Sequence, residues 1–162
     1  WRTELKKFED KIDSEVIKYF NAKSYPFSLN ETGISKLRKV IKKHDLKLVY
    51  DSIDVSFDRY LEYEDGNPIQ STVSYVLDKI GGIAYFKSLP PLDQKKNWVS
   101  LALSRYFNKE KWQVNELVNV YCNTIGFLPD EEVIDDLQNE FYPRAKNFYS
   151  YSQLKAYVYD LC

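Results

Sequence analysis

"ETGISKLRKVIKKHDLKLVYDSIDVSFDRYL", residues 31–61, is the stretch that decides the fold. On a wheel of 100° per residue, Ile34, Leu37, Val40 and Ile41 fall within one arc. After a break at His44-Asp45, Leu46, Val49, Tyr50, Ile53, Phe57, Tyr60 and Leu61 line a second apolar face. Neither run alternates with period two, so the segment reads as two consecutive amphipathic helices. Asn30 is the expected N-cap of the first, which spans about Glu31 to His44.

The same periodicity extends outward in both directions. Leu5, Phe8, Ile12, Val16, Tyr19 and Phe20 form one stripe, giving a helix over 3–21 that ends before Pro26. "EYEDGNP" reads as a turn, and Pro68 suits the first position of a helix over 69–80. Gly81-Gly82 would then kink or cap that helix, because glycine costs about 1 kcal/mol against alanine in a helix interior. Pro90-Pro91 opens a helix to Phe107, and another covers 110–124 with Gly126 as its C′ residue. Three acids after Pro129 start a helix that Pro143 ends, and Ser150 or Ser152 caps a last one reaching Leu161. The expectation is an all-α fold, a single compact bundle of about eight helices over residues 1–162. Pro90-Pro91 is the best internal boundary, separating subdomains 1–89 and 90–162.

Composition narrows the function classes. The chain has 162 residues, is 44% apolar and carries 14 Tyr, 9 Phe and 3 Trp, so it can bury a core. Its net charge is −1, which gives no global attraction to a polyanion. Residues 1–60 hold 13 Lys/Arg against 10 Asp/Glu, so positive charge is concentrated in the first part. Two cysteines, Cys122 and Cys162, are too few for a disulfide framework, and a reducing, cytoplasmic compartment is the simple reading. No apolar run reaches the roughly 18 residues of a membrane span, and the polar, acidic start is wrong for a signal peptide. Asn30-Glu31-Thr32 matches a glycosylation sequon, read as chance in a cytosolic protein. The chain has no Met and opens on Trp1 inside a helical pattern, which reads as a fragment of a longer protein.

The candidate site is the polar side of residues 34–45. Lys36, Arg38, Lys39, Lys42 and Lys43 fill the arc opposite the apolar face, and Lys47 follows just beyond. Several cations on one surface are what phosphate binding requires, because they displace counterions from the backbone together. The plain alternative is a solvated helix face, and a third is contact with an acidic protein. Asp51, Asp54 and Asp58 lie at i, i+3 and i+7 of the next helix and share one side. They are expected to meet Lys47 or to face the basic helix and neutralise it, rather than to hold a metal.

No catalytic set is visible. His44 is the lone histidine and suits a helix C-terminus, Cys122 sits among apolar residues, and no glycine-rich phosphate loop occurs. No small-molecule cofactor or metal is expected, and no enzymatic activity within these residues. The C-terminal positions Tyr151, Leu154, Tyr157, Val158 and Leu161 recur at helical spacing and read as core, with Tyr149 and Tyr159 exposed.

"GISKLRKVIKKHDLKLVYDSIDVSFDRYL" followed by "VLDKIGGIAYFKS" resembles helical segments of uncharacterised proteins from phages and other mobile elements, over residues 1–88. In some of these the segment follows an HNH nuclease or a winged helix. The resemblance implies an accessory domain in a DNA-related or anti-defence setting and transfers no catalytic residue. Two functions are therefore expected in competition. One is a non-catalytic module whose basic helix contacts a DNA or RNA backbone. The other is a regulatory or inhibitory protein-interaction module using aromatic and acidic surfaces.

Overall fold

The computed structural model describes all of residues 1–162 and is all-α, with eight helical rods and almost no strand. The chain divides into two compact units, Trp1–Ser88 and Leu89–Cys162.

The first unit contains α1 (Arg2–Lys23), α2 (Glu31–Lys43), α3 (Leu46–Tyr60) and α4 (Gln70–Ser88). Its core is built from Val16, Phe20, Leu37, Val49, Ile53, Phe57, Val76 and Ile80. These are the helical-period positions of four different helices, which is why the pattern in residues 31–61 carries the fold. The stripe on α1 is buried only from Ile12 onward, and residues 1–10 are all exposed. Ser24 ends α1, and its hydroxyl donates to the Phe27 carbonyl at 2.8 Å. Asn21 accepts from the Leu29 amide at 2.9 Å, so the turn into α2 is held by side chains. Asn30 then caps α2, its side-chain oxygen accepting from the Gly33 amide at 2.8 Å. Where α3 lies along α4, small Ser52 and Ser56 are buried, and the Ser56 hydroxyl donates to the Val76 carbonyl at 2.6 Å. That bond removes the penalty of a bare hydroxyl in an apolar contact.

Two expectations about this unit fail. The turn before α4 is a minimal antiparallel hairpin, β1 (Tyr63–Glu64) and β2 (Asn67–Pro68), and Pro68 stands in it opposite Tyr63 rather than opening a helix. Asp65 and Gly66 both take positive φ, 50° and 79°, the geometry that an Asp-Gly pair supplies to a tight hairpin. Gly81-Gly82 does not end α4, which runs on to Ser88. Val76, Ile80 and Ala84 are buried on both sides of the pair, so tertiary packing outweighs the glycine cost.

The second unit contains α5 (Pro91–Phe107), α6 (Lys111–Thr124), α7 (Asp130–Asp136), α8 (Tyr142–Ala145) and α9 (Tyr151–Asp160). A π-helical turn, Leu137–Phe141, joins α7 to α8 as one rod. Val99, Leu103, Val114, Leu117, Val118, Leu137, Phe141, Leu154 and Val158 form its core. Pro143 does not end the seventh rod as expected. Proline has no N–H for the carbonyl four residues back and its ring crowds that carbonyl, so the wider π turn ahead of it lets the helix pass. Within that turn the Tyr142 amide reaches back to Leu137. Gly126 does not supply a left-handed cap to α6, whose C-cap is Ile125 at φ −111°. The left-handed cap is instead Asn108, φ 54°, after α5. Ser150 caps α9, accepting from the Gln153 amide at 3.3 Å, and Leu161 is exposed rather than core.

Candidate nucleic-acid interface

The candidate site lies wholly on the first unit, on α2 and the residue that follows it into α3. Leu37 is fully buried and Ile34, Val40 and Ile41 are half-buried, so α2 docks by the expected face. Lys36, Arg38, Lys39, Lys42, Lys43 and Lys47 are all exposed. They divide into two classes according to what they meet.

The two cations at the edges of the arc are tied down. Lys36 Nζ donates to Asp78 Oδ1 of α4 at 2.8 Å, and Arg38 Nε meets Asp13 Oδ2 of α1 at 3.3 Å. The Lys36 pair is open to water and adds little to stability. The Arg38 pair differs, because Asp13 is buried and its carboxylate has the guanidinium as its one ionic partner. Between these edges, Lys39, Lys42 and Lys43 make no ion pair, and neither does Lys47.

The acidic stripe of α3 does not cover them. Asp54 turns to α1 instead, meeting Lys23 Nζ at 3.0 Å and accepting from the Tyr19 hydroxyl at 2.5 Å. Burial alone would raise the Asp54 pKa, but the hydrogen bonds from Tyr19 and Lys23 outweigh it and hold the carboxyl below its ordinary value. Asp51 and Asp58 are exposed and pair with no cation of α2 or with Lys47. The expected neutralisation of the basic helix by Asp51, Asp54 and Asp58 therefore does not occur. A helical repeat fixes which residues share a face but not which way that face turns, and α3 turns Asp54 toward α1.

The partners that the sequence reading missed are Asp13 and Asp78. Asp13 carried a signal, since a charge beside Ile12 and three residues before Val16 stands at the margin of a buried stripe. Asp78 carried none beyond its helical setting.

Beside the Arg38–Asp13 pair runs an open groove of about 720 Å³ between the start of α1 and the end of α2. Lys42 and His44 border it from α2, and Arg2, Lys6, Glu9 and Asp10 from α1. Leu5, Ile12, Ile41 and Leu46 line it as well, and charges of both signs border it, so it has no single preference for an anion.

The remaining chemistry-bearing residues have structural settings. His44 is the C-cap of α2, and its backbone amide reaches the Val40 carbonyl at 3.2 Å. Cys122 is buried, and that burial pushes its thiol up to about 11, out of the nucleophilic range at neutral pH. Tyr121 stacks on Phe141, with ring centroids 4.1 Å apart, and its hydroxyl donates a short hydrogen bond to Asp136. Burial and that carboxylate both drive the Tyr121 pKa upward, so it holds its proton. No three His, Cys, Asp or Glu side chains are grouped to hold a metal ion. No helix is long and apolar enough to cross a membrane. No family model, curated protein or solved structure matches the chain.

Proposed function

We propose that the chain is a non-catalytic accessory module that contacts the phosphate backbone of DNA or RNA through α2. The observation that carries this is the division of the basic arc. Its flanks are engaged by acids of neighbouring helices, and the buried Leu37 face holds the helix in place. Its centre, Lys39, Lys42 and Lys43, presents three cations with no acid to satisfy them. Lys47 adds a fourth just after the helix. Lysines on one exposed face suit contact with the backbone, which positions a protein without reading sequence. The phage or mobile-element setting and a cytoplasmic location come from the sequence reading. Binding of mixed-sequence DNA and RNA, followed by fluorescence anisotropy, tests the reading. Affinity should fall at least tenfold when Lys39, Lys42 and Lys43 become Glu, while helix content by circular dichroism stays unchanged. Equal affinity in the variant, or none in the parent chain at low salt, rejects it.

A second reading is favoured by the surface of the second unit. Trp112, Phe127 and Tyr149 are exposed there, and Glu131, Glu132, Asp135 and Glu140 border one shallow depression. Exposed aromatics and acids on the same unit suit a protein partner. Binding that survives the α2 charge reversal but is lost on Trp112→Ala would select this reading.

A further inference from the structure

The first three turns of α1 leave an apolar seam bare. Trp1, Leu5 and Phe8 are 89%, 44% and 62% exposed, although they continue the stripe that enters the core through Ile12 and Val16. Exposed aromatics are ordinary when scattered, but these follow one line along a helix. Trp1, Leu5, Phe8 and Ile12 are spaced four, three and four, the spacing of a two-stranded coiled-coil seam.

The charges bordering that seam specify what covers it. On the wheel, Arg2 and Glu9 flank one edge, and Glu4 and Lys11 flank the other. None of the four makes an ion pair within the chain. When two such helices pair antiparallel, like edges meet. With Trp1 opposite Ile12 and Leu5 opposite Phe8, Arg2 meets Glu9 of the other copy and Glu4 meets its Lys11. Every flanking contact is then between opposite signs, and the arrangement is its own two-fold mate. Parallel pairing would set Glu4 against Glu9, which repel. The antiparallel overlap also carries the two cores away from each other, since each α1 enters its own core beyond Ile12.

We infer that residues 1–12, the N-cap Trp1 and the start of α1, form an antiparallel two-helix interface with a second copy of this chain. Four aromatic side chains and their aliphatic neighbours bury on the order of 1,000 Å² in all, the lower limit for a specific interface. The dimer is accordingly a reversible one, populated at micromolar concentrations.

Sedimentation velocity of the whole chain over a concentration series is the test. A monomer–dimer equilibrium is expected, and Phe8→Glu, at an exposed site, should raise its dissociation constant about tenfold or more. Orientation is read by charge. Glu4→Lys alone sets two lysines together in the antiparallel dimer and should weaken it severalfold, and adding Lys11→Glu should restore it. A chain that remains monomeric throughout overturns the inference. So does a dimer indifferent to Phe8→Glu, or one that Glu4→Lys strengthens, as parallel pairing would require. These outcomes are independent of nucleic acid and of the lysines of α2.

Discussion

At the scale of single residues, adjacent cations on one helix do different work. Arg38 neutralises a buried carboxylate, whereas Lys42 is exposed and makes no ion pair. Arg38→Ala should therefore cost about 1–3 kcal/mol of stability by stranding Asp13, with a small effect on nucleic-acid affinity. Lys42→Ala should do the reverse, losing affinity while urea unfolding is unchanged. Asp54 supplies a pH dependence. Its folded pKa lies below its unfolded value, so its contribution is complete above the ordinary carboxyl range and is lost as pH falls through the folded value. Stability measured from pH 6 down to pH 2 should decline below about 4. Asp54→Asn should lower the plateau by about 1 kcal/mol, after allowance for its exposure, and flatten that part of the decline. At this scale the sequence was only half legible. It placed Lys36, Arg38, Lys39, Lys42, Lys43 and Lys47 on the surface correctly. It could not say that Asp13 and Asp78, rather than Asp51, Asp54 and Asp58, would answer them, because ion pairs depend on how helices are rotated against one another.

At the scale of elements, helix starts were legible and helix interruptions were not. Asn30 and Ser150 cap as their residue types dictate, and Pro91 stands at the first turn of α5. Local preference makes Gly81-Gly82 a kink or a cap and Pro143 a stop, yet helix continues past both, with buried residues on either side. The glycine pair therefore represents stability forgone rather than a turn requirement. A Cβ at Gly82 would meet nothing within 4 Å. Gly82→Ala should accordingly raise stability by about 0.5–1 kcal/mol, seen as a higher urea midpoint with the same slope. A loss of stability there would mean that α4 needs the glycine for a reason not visible in its contacts. The Asp65-Gly66 hairpin is the opposite case. Its two-residue ladder is too short to produce any alternation, so only the dipeptide announces it.

At the scale of the whole molecule, the all-α class followed from periodicity alone, and two compact units each close their own core. The proposed function is less legible, because a net charge of −1 hides a local excess on one helix. The proposed phosphate contact falls on the unpaired centre of α2 and not on its bonded flanks. The salt dependence of DNA affinity measures that division directly. Each phosphate neutralised contributes a slope of about −0.9 in log K against log salt, so the three or four free lysines should give about −3. Reversing Lys39, Lys42 and Lys43 should remove nearly all of it. No binding at about 50 mM salt, or a slope that this triple reversal leaves unchanged, would contradict the account.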